Sequence, residues 1–134
     1  MDNSNFHVNV RDTINSGQIF LWENYKDVWF VINGQNVIVM RQNPSEILKL
    51  SDETKKFFRN DDDFKEIVRS ISRDKIVKNA VKHYPGLRIT RQEPFQCYIS
   101  FIISANSNIP NIRLGLQKLC RKFGAKTYVE KREF

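Results

Sequence analysis

The chain has 134 residues, enough for one domain with a real core and few residues to spare. Apolar residues make up 40% and aromatic residues 12%, which excludes a disordered chain, and a net charge of +7 suits polyanionic partners such as nucleic acid. No apolar run approaches the roughly 20 residues that span a bilayer, and "MDNSNFHVNV" lacks the basic and apolar regions of a signal peptide, so a cytoplasmic protein without membrane association is expected.

The first 45 residues read as strands. "FHVNV" alternates, with Phe6, Val8 and Val10 on one face, and "QIFLW" and "VWFVI" follow. Asn33-Gly34 is a strong short-range hairpin signal, so Val28–Ile32 and Asn36–Arg41 are expected to pair antiparallel. Pro44 ends that pattern, and Ser45–Leu50 fits a short helix or an edge strand. From Asp61 the period becomes helical. Phe64, Ile67, Val68 and Ile71 form one stripe behind three aspartates, and Ile76, Val77, Ala80, Val81 and Tyr84 form a second that stops at Pro85-Gly86. "EPFQCYISFIISAN" is apolar almost all round, which predicts a buried helix with Pro94 in its first turn. A last stripe of Ile112, Leu116, Leu119, Cys120 and Phe123 ends at Gly124, a helix cap. Sheet first and helices after predicts an α+β fold. Cys97 and Cys120 lie in apolar helical patterns without CxxC spacing, so buried free thiols are expected, and neither a metal nor another cofactor is implied.

Two stretches do not fit routine packing. In "SGQIFLW", Ser16–Trp22, a glycine and a glutamine precede an aromatic run. That is either a turn into a core strand or a backbone edge and aromatic wall for a flat ligand. In "SANSNIPNI", Ser104–Ile112, small polar side chains interrupt two apolar helices. They either cap the next helix or present amides to a base edge or a phosphate.

Together with "GLRITRQEPFQCYISFIISANSNI" and "LCRKFG", these stretches resemble the 8-oxoguanine DNA glycosylase/AP lyase family of the helix-hairpin-helix superfamily. The family motifs S-G-Q-x-F-R-W, R-Q-D-P-x-E-x-L-x-S-F-I-x-S-x-N-N-N-I and L-C-x-x-F-G occur here in the same order. The resemblance implies a twisted antiparallel N-terminal sheet with helices, like the TATA-binding protein, over residues 1–90. Residues 91–134 would begin an all-α glycosylase domain that is incomplete here. It implies a base-excision repair enzyme that flips oxidised guanine out of duplex DNA. By position, Gly17 would offer its carbonyl to the N7–H of the lesion, with Gln18 beside it. Phe20 would pack on the flipped base, and Trp22 would be structural. Asn106, Ser107, Asn108 and Asn111 would face the opposite strand.

Four departures stand out. Leu21 replaces a family arginine, and Glu93 replaces the aspartate of R-Q-D-P. Asn111 replaces the arginine that reads the opposite cytosine, and Arg113, two residues on, is rotated away from that position. No lysine here matches the family nucleophile and no aspartate its downstream partner; Lys78, Lys118 and Lys122 read as solvated. The chain is therefore expected to recognise double-stranded DNA containing 8-oxoguanine without cleaving it. The helix-hairpin-helix portion would be its partner, in the nucleoid or the nucleus. The alternative is a non-catalytic damaged-DNA-binding module.

Overall fold

Asn9 decides how the chain begins. Its side chain accepts from the Asp12 amide at 3.0 Å and donates to the Asp12 carboxylate at 2.7 Å, which starts helix α1 (Val10–Asn15). Val10, Thr13 and Ile14 are buried at helical spacing. The strand expected across "FHVNV" is therefore not formed: an asparagine inside the alternation competes for backbone donors and begins a helix instead. The computed structural model describes residues 7–41, 51–129 and 131–134, so Phe6, Pro44 and the ambiguous 45–50 lie outside the described residues. The chain divides into two units, Met1–Gln18 with Gln42–Arg91 and Ile19–Arg41 with Gln92–Phe134.

The first unit is helical. Ser51 caps α2 (Asp52–Phe57), whose Phe57 is buried beside Phe58, the two rings meeting edge to face. Helices α3 (Phe64–Ile71) and α4 (Lys75–His83) form where the periodicity puts them, and the aspartates Asp63 and Asp74 cap them. No residue of either helix is buried. Beyond them, residues 88–90 are stitched to the start of the chain. Arg88 is buried, donating to the His7, Phe58 and Arg59 carbonyls at 2.9, 3.3 and 3.2 Å, with its guanidinium 4.3 Å from the Phe64 ring centre. Desolvation lowers its pKa, and the Asp62 charge opposes that. Gln18 completes the seam: its amide donates to the Arg88 carbonyl at 2.8 Å and accepts from the Thr90 amide at 2.9 Å.

The second unit holds the sheet. Strands β1 (Trp22–Tyr25), β2 (Val28–Asn33) and β3 (Asn36–Arg41) lie in the order β1-β2-β3, all antiparallel, with Asn33 opposite Asn36 across the expected hairpin. Trp29, Phe30 and Val31 are buried in succession, so both faces of the central strand are covered. The "QIFLW" strand begins only at Trp22, although Leu21 already accepts from the Ile32 amide at 3.0 Å.

Helix α5 (Pro94–Ser104) starts against the hairpin tip. The Glu93 carboxylate caps it, accepting from the Phe95 and Gln96 amides at 3.1 and 2.6 Å. Glutamate thus performs the capping that the family aspartate would be expected to supply. The Asn33 side chain accepts from the Glu93 amide at 2.7 Å, and the Gln96 amide donates to the Ile32 carbonyl and accepts from the Gly34 N–H, both at 2.8 Å. Gly34 has φ +65°, and a Cβ there would sit 2.9 Å from Glu93 Cγ. Only glycine meets both demands.

The sequence predicts a buried α5, but only one side of the helix is buried. Ile99, Ser100 and Ile103 face inward, but Phe95 is 70% exposed and Tyr98, Phe101 and Ile102 are more than half exposed. One side of the helix meets the rest of its unit, and the other side has no cover among the described residues. Helix α6 (Ile109–Phe123) buries Ile112 and Leu116 against Phe20 and Leu21. Gly124 ends it with an extended φ of −77° rather than a left-handed one. Cys97 is half-buried and Cys120 exposed, so the expectation of two buried thiols fails: Cys120 falls on the solvent side of α6. A small hairpin, β4 (Tyr128–Val129) and β5 (Arg132–Glu133), follows, with Arg132 over the Tyr25 ring and Phe134 beside Phe30.

Replacing Gln18 with Leu leaves the Arg88 carbonyl and the Thr90 amide without these partners. The expected loss is about 2 kcal/mol, read as a lower urea midpoint at unchanged slope. On the surface, Arg59 grips Asp62 through two hydrogen bonds of 2.6 and 3.2 Å and holds its carboxyl below the ordinary 3.8. A depressed carboxyl pKa stabilises the fold above the unfolded value and loses that effect as pH falls through the folded value. The melting-temperature gap between the wild type and Asp62→Asn should therefore be open at neutral pH and close as pH drops below 3.8. A gap that persists in acid would refute this account of the pair.

Candidate nucleic-acid interface

Gly17 follows α1 with φ +84°, in the left-handed region where a side chain is strained. The residues on either side are tied down. Ser16 Oγ donates to the Thr13 carbonyl at 2.7 Å, and Gln18 Nε2 reaches Ser16 Oγ at 2.9 Å. Between these anchors the Gly17 carbonyl accepts no hydrogen bond from any described residue. Among the described residues it is a backbone acceptor with spare capacity.

Gln18 and Phe20 are engaged differently. Both ends of the Gln18 amide are spent on the 88–90 segment. Phe20 is 6% exposed and lies with Leu21 under Ile112 and Leu116 of α6, flanked by Ile32, Ile99 and Ile103. For "SGQIFLW" the structure shows the turn into the core, and the Gly17 carbonyl before it has no partner among the described residues. Leu21, which stands where the family has arginine, is part of the same apolar cluster.

The turn between α5 and α6 brings Asn106, Ser107, Asn108 and Asn111 together within the second unit. All four are exposed. Asn106 has φ +52°, one of the few left-handed non-glycine residues, and asparagine tolerates that region better than most. Asn108 caps α6, its Oδ1 accepting from the Asn111 amide at 3.0 Å. The capping reading thus holds for Asn108. The side chains of Asn106, Ser107 and Asn111 have no hydrogen-bond partner among the described residues. The N-terminal end of a 15-residue helix adds a positive partial charge to that turn.

Arg113 lies on the same helix but faces the sheet. Its guanidinium carbon is 3.9 Å from the centre of the Trp22 ring, and Nη2 donates to the Trp22 carbonyl at 2.8 Å. Partial burial lowers its pKa, opposed by the charge of Glu23. Sequence reasoning placed Arg113 away from Asn111 but missed this partner, and it missed Arg88 and Gln96 altogether. The available signal was a lone polar or charged residue inside an apolar stretch, as in Leu87-Arg88-Ile89 and Ile112-Arg113-Leu114. Lys78, Lys118 and Lys122 are exposed. A cleft of about 420 Å³ in the first unit, lined by Asp52, Lys55, Lys56, Asn60, Asp61 and Arg91, contains none of the expected base- or strand-contacting residues. Among the described residues no cluster of three metal-ligating side chains occurs, and no helix is long and apolar enough to cross a membrane.

The family model for the 8-oxoguanine DNA glycosylase N-terminal domain matches residues 1–98. The structure of MBOgg1 in complex with a low-affinity DNA ligand aligns at TM-score 0.83 and 27% identity, over 95% of this chain and 47% of that one. The apo form of the Clostridium acetobutylicum 8-oxoguanine glycosylase/lyase aligns at TM-score 0.83 and 28% identity, with the same coverage of 95% and 47%. The chain spans about half the length of these solved relatives. By motif order, fold and extent of match, it belongs to the 8-oxoguanine DNA glycosylase family.

Proposed function

We propose that this chain is the lesion-recognition part of a base-excision repair enzyme that removes oxidised guanine from duplex DNA. The observation that carries the proposal is the unspent carbonyl of Gly17, held by anchored neighbours at a φ that glycine adopts without strain. Guanine presents N7 as an acceptor, so two acceptors would face each other and repel. The oxidised base carries a proton on that nitrogen and can donate to the carbonyl. Discrimination then rests on one hydrogen bond gained against one unpaired acceptor. Gln18 serves as the brace that keeps the Gly17 peptide in place, and Phe20, by its place in the motif, as the ring that packs on the flipped base. Asn106, Ser107, Asn108 and Asn111 meet the opposite strand, where an amide at Asn111 grips cytosine less firmly than a guanidinium would.

No residue in these 134 matches the expected lysine nucleophile or its aspartate. On this reading the chemistry belongs to a helix-hairpin-helix portion, residues 1–90 act as the N-terminal domain, and 91–134 open the glycosylase domain. The site of action is the nucleoid or the nucleus. The relatives' names, an 8-oxoguanine glycosylase/lyase and a protein in complex with a low-affinity DNA ligand, support this direction.

Fluorescence anisotropy with a duplex carrying 8-oxoguanine opposite cytosine tests the reading. The chain is expected to bind it more tightly than an undamaged duplex. Gly17→Ala is expected to reduce that preference about tenfold, the equivalent of ~1.4 kcal/mol. An unchanged preference in Gly17→Ala would remove the assigned role of the carbonyl. Borohydride trapping tests the division of labour. No covalent adduct is expected where an intact family enzyme cross-links; an adduct would mean that a lysine of this chain performs the chemistry.

A further inference from the structure

Helix α6 is held in its unit by two kinds of contact. Ile112 and Leu116 press on Phe20 and Leu21, which is strong but non-directional. Arg113, between them in sequence, makes a directional one. Its planar guanidinium covers the Trp22 indole at 3.9 Å and donates to the backbone carbonyl of the same residue at 2.8 Å. Trp22 is itself fixed: its ring lies 5.3 Å from that of Trp29, which is buried in the central strand. The anchor is therefore rigid on the strand side, and the planar stack together with the Nη2 bond restrains the arginine on its own side.

Rotation is the motion that apolar contacts restrain least. A side-chain tip lies about 5–6 Å from a helix axis. A roll of about 20° therefore moves it by about 2 Å, enough to break a hydrogen bond that tolerates only a few tenths of an ångström. Asn108 and Asn111 sit at the start of this helix, one and a half turns or less from Arg113.

We propose that Arg113 is a positioning residue: clamped on Trp22, it sets the rotation of α6 and so the direction in which Asn108 and Asn111 face the strand opposite the lesion. This inference rests on the reading of the α5–α6 turn as the opposite-strand contact. It assigns a role to an arginine that lies two residues from the family's cytosine-reading position and whose guanidinium is engaged with Trp22. Lysine is not equivalent, because an ammonium has no plane to lay on the indole.

Two measurements on the full 134-residue chain test it, with Arg113→Met, which keeps an unbranched stem, and Arg113→Lys, which keeps the charge. The first needs no DNA. A crystal structure of each variant is expected to show α6 rolled about its axis by about 20°, moving Asn108 and Asn111 by about 2 Å relative to Trp22, with the bond between them kept. The second is anisotropy with 8-oxoguanine opposite cytosine and opposite adenine. The cytosine-to-adenine affinity ratio is expected to fall about threefold in both variants, and Asn111→Ala added to Arg113→Met is expected to lower it no further.

An α6 that keeps its rotation in Arg113→Met would overturn the inference, as would full rescue of the ratio by Arg113→Lys. Equal loss of affinity for damaged and undamaged duplexes would overturn it too, by making Arg113 a plain charge contact. A wild-type chain that does not prefer the damaged duplex would instead defeat the functional reading, and the rotation of α6 in the variants would still decide whether Arg113 holds the helix.

Discussion

A primary amide offers one face that donates and one that accepts, as a peptide group does, and this fold exploits that equivalence twice. Gln18 donates to the Arg88 carbonyl and accepts from the Thr90 amide. Gln96 donates to the Ile32 carbonyl and accepts from the Gly34 amide. In each case a side chain stands in for a neighbouring strand and satisfies backbone groups that no ladder reaches. The first amide closes the helical unit around residues 88–90. The second seats α5 on the hairpin of the sheet unit. Removing either leaves backbone groups desolvated without these partners, so the cost of the change exceeds the worth of one ordinary hydrogen bond.

These anchors explain why the polar residues of the two motif stretches divide as they do. Some are consumed by the fold: Gln18 as a surrogate strand, Glu93 and Asn108 as caps, Asn33 as an acceptor for the start of α5. Others remain free among the described residues: the Gly17 carbonyl and the side chains of Asn106, Ser107 and Asn111. A recognition surface needs both groups. Free donors and acceptors discriminate only if their positions are fixed before the ligand arrives, and the consumed residues sit beside the free ones in sequence.

The legible parts of the fold were those governed by local chemistry. The Asn33-Gly34 hairpin and the aspartate-capped α3 and α4 follow from signals that span fewer than a dozen residues. The motif order identified the family. What depended on distant partners was hidden. Gln18 and Arg88 are 70 residues apart, and Gln96 and Gly34 are 62 apart, so no spacing rule could pair them. "FHVNV" was misread because five alternating residues weigh little against one asparagine able to cap a helix. The burial of α5 was overestimated for a different reason. Periodicity reports which side of a helix is apolar, not whether the chain supplies something to cover it, and Phe95, Tyr98 and Phe101 have no such cover among the described residues.

Hairpin tips are ordinarily where a fold best absorbs added residues, since they carry little of the packing. The β2–β3 tip is an exception. Gly34 has Glu93 Cγ 2.9 Å from where its Cβ would be, its amide is the donor for Gln96, and Asn33 beside it holds the start of α5. Lengthening this tip would dislodge the helix that leads into the asparagine turn. Tolerance for insertions is displaced to the α3–α4 connection, where Arg73 and Asp74 are exposed and neither flanking helix buries a residue. In this fold the hairpin tip is therefore among the segments least free to change length over evolutionary time.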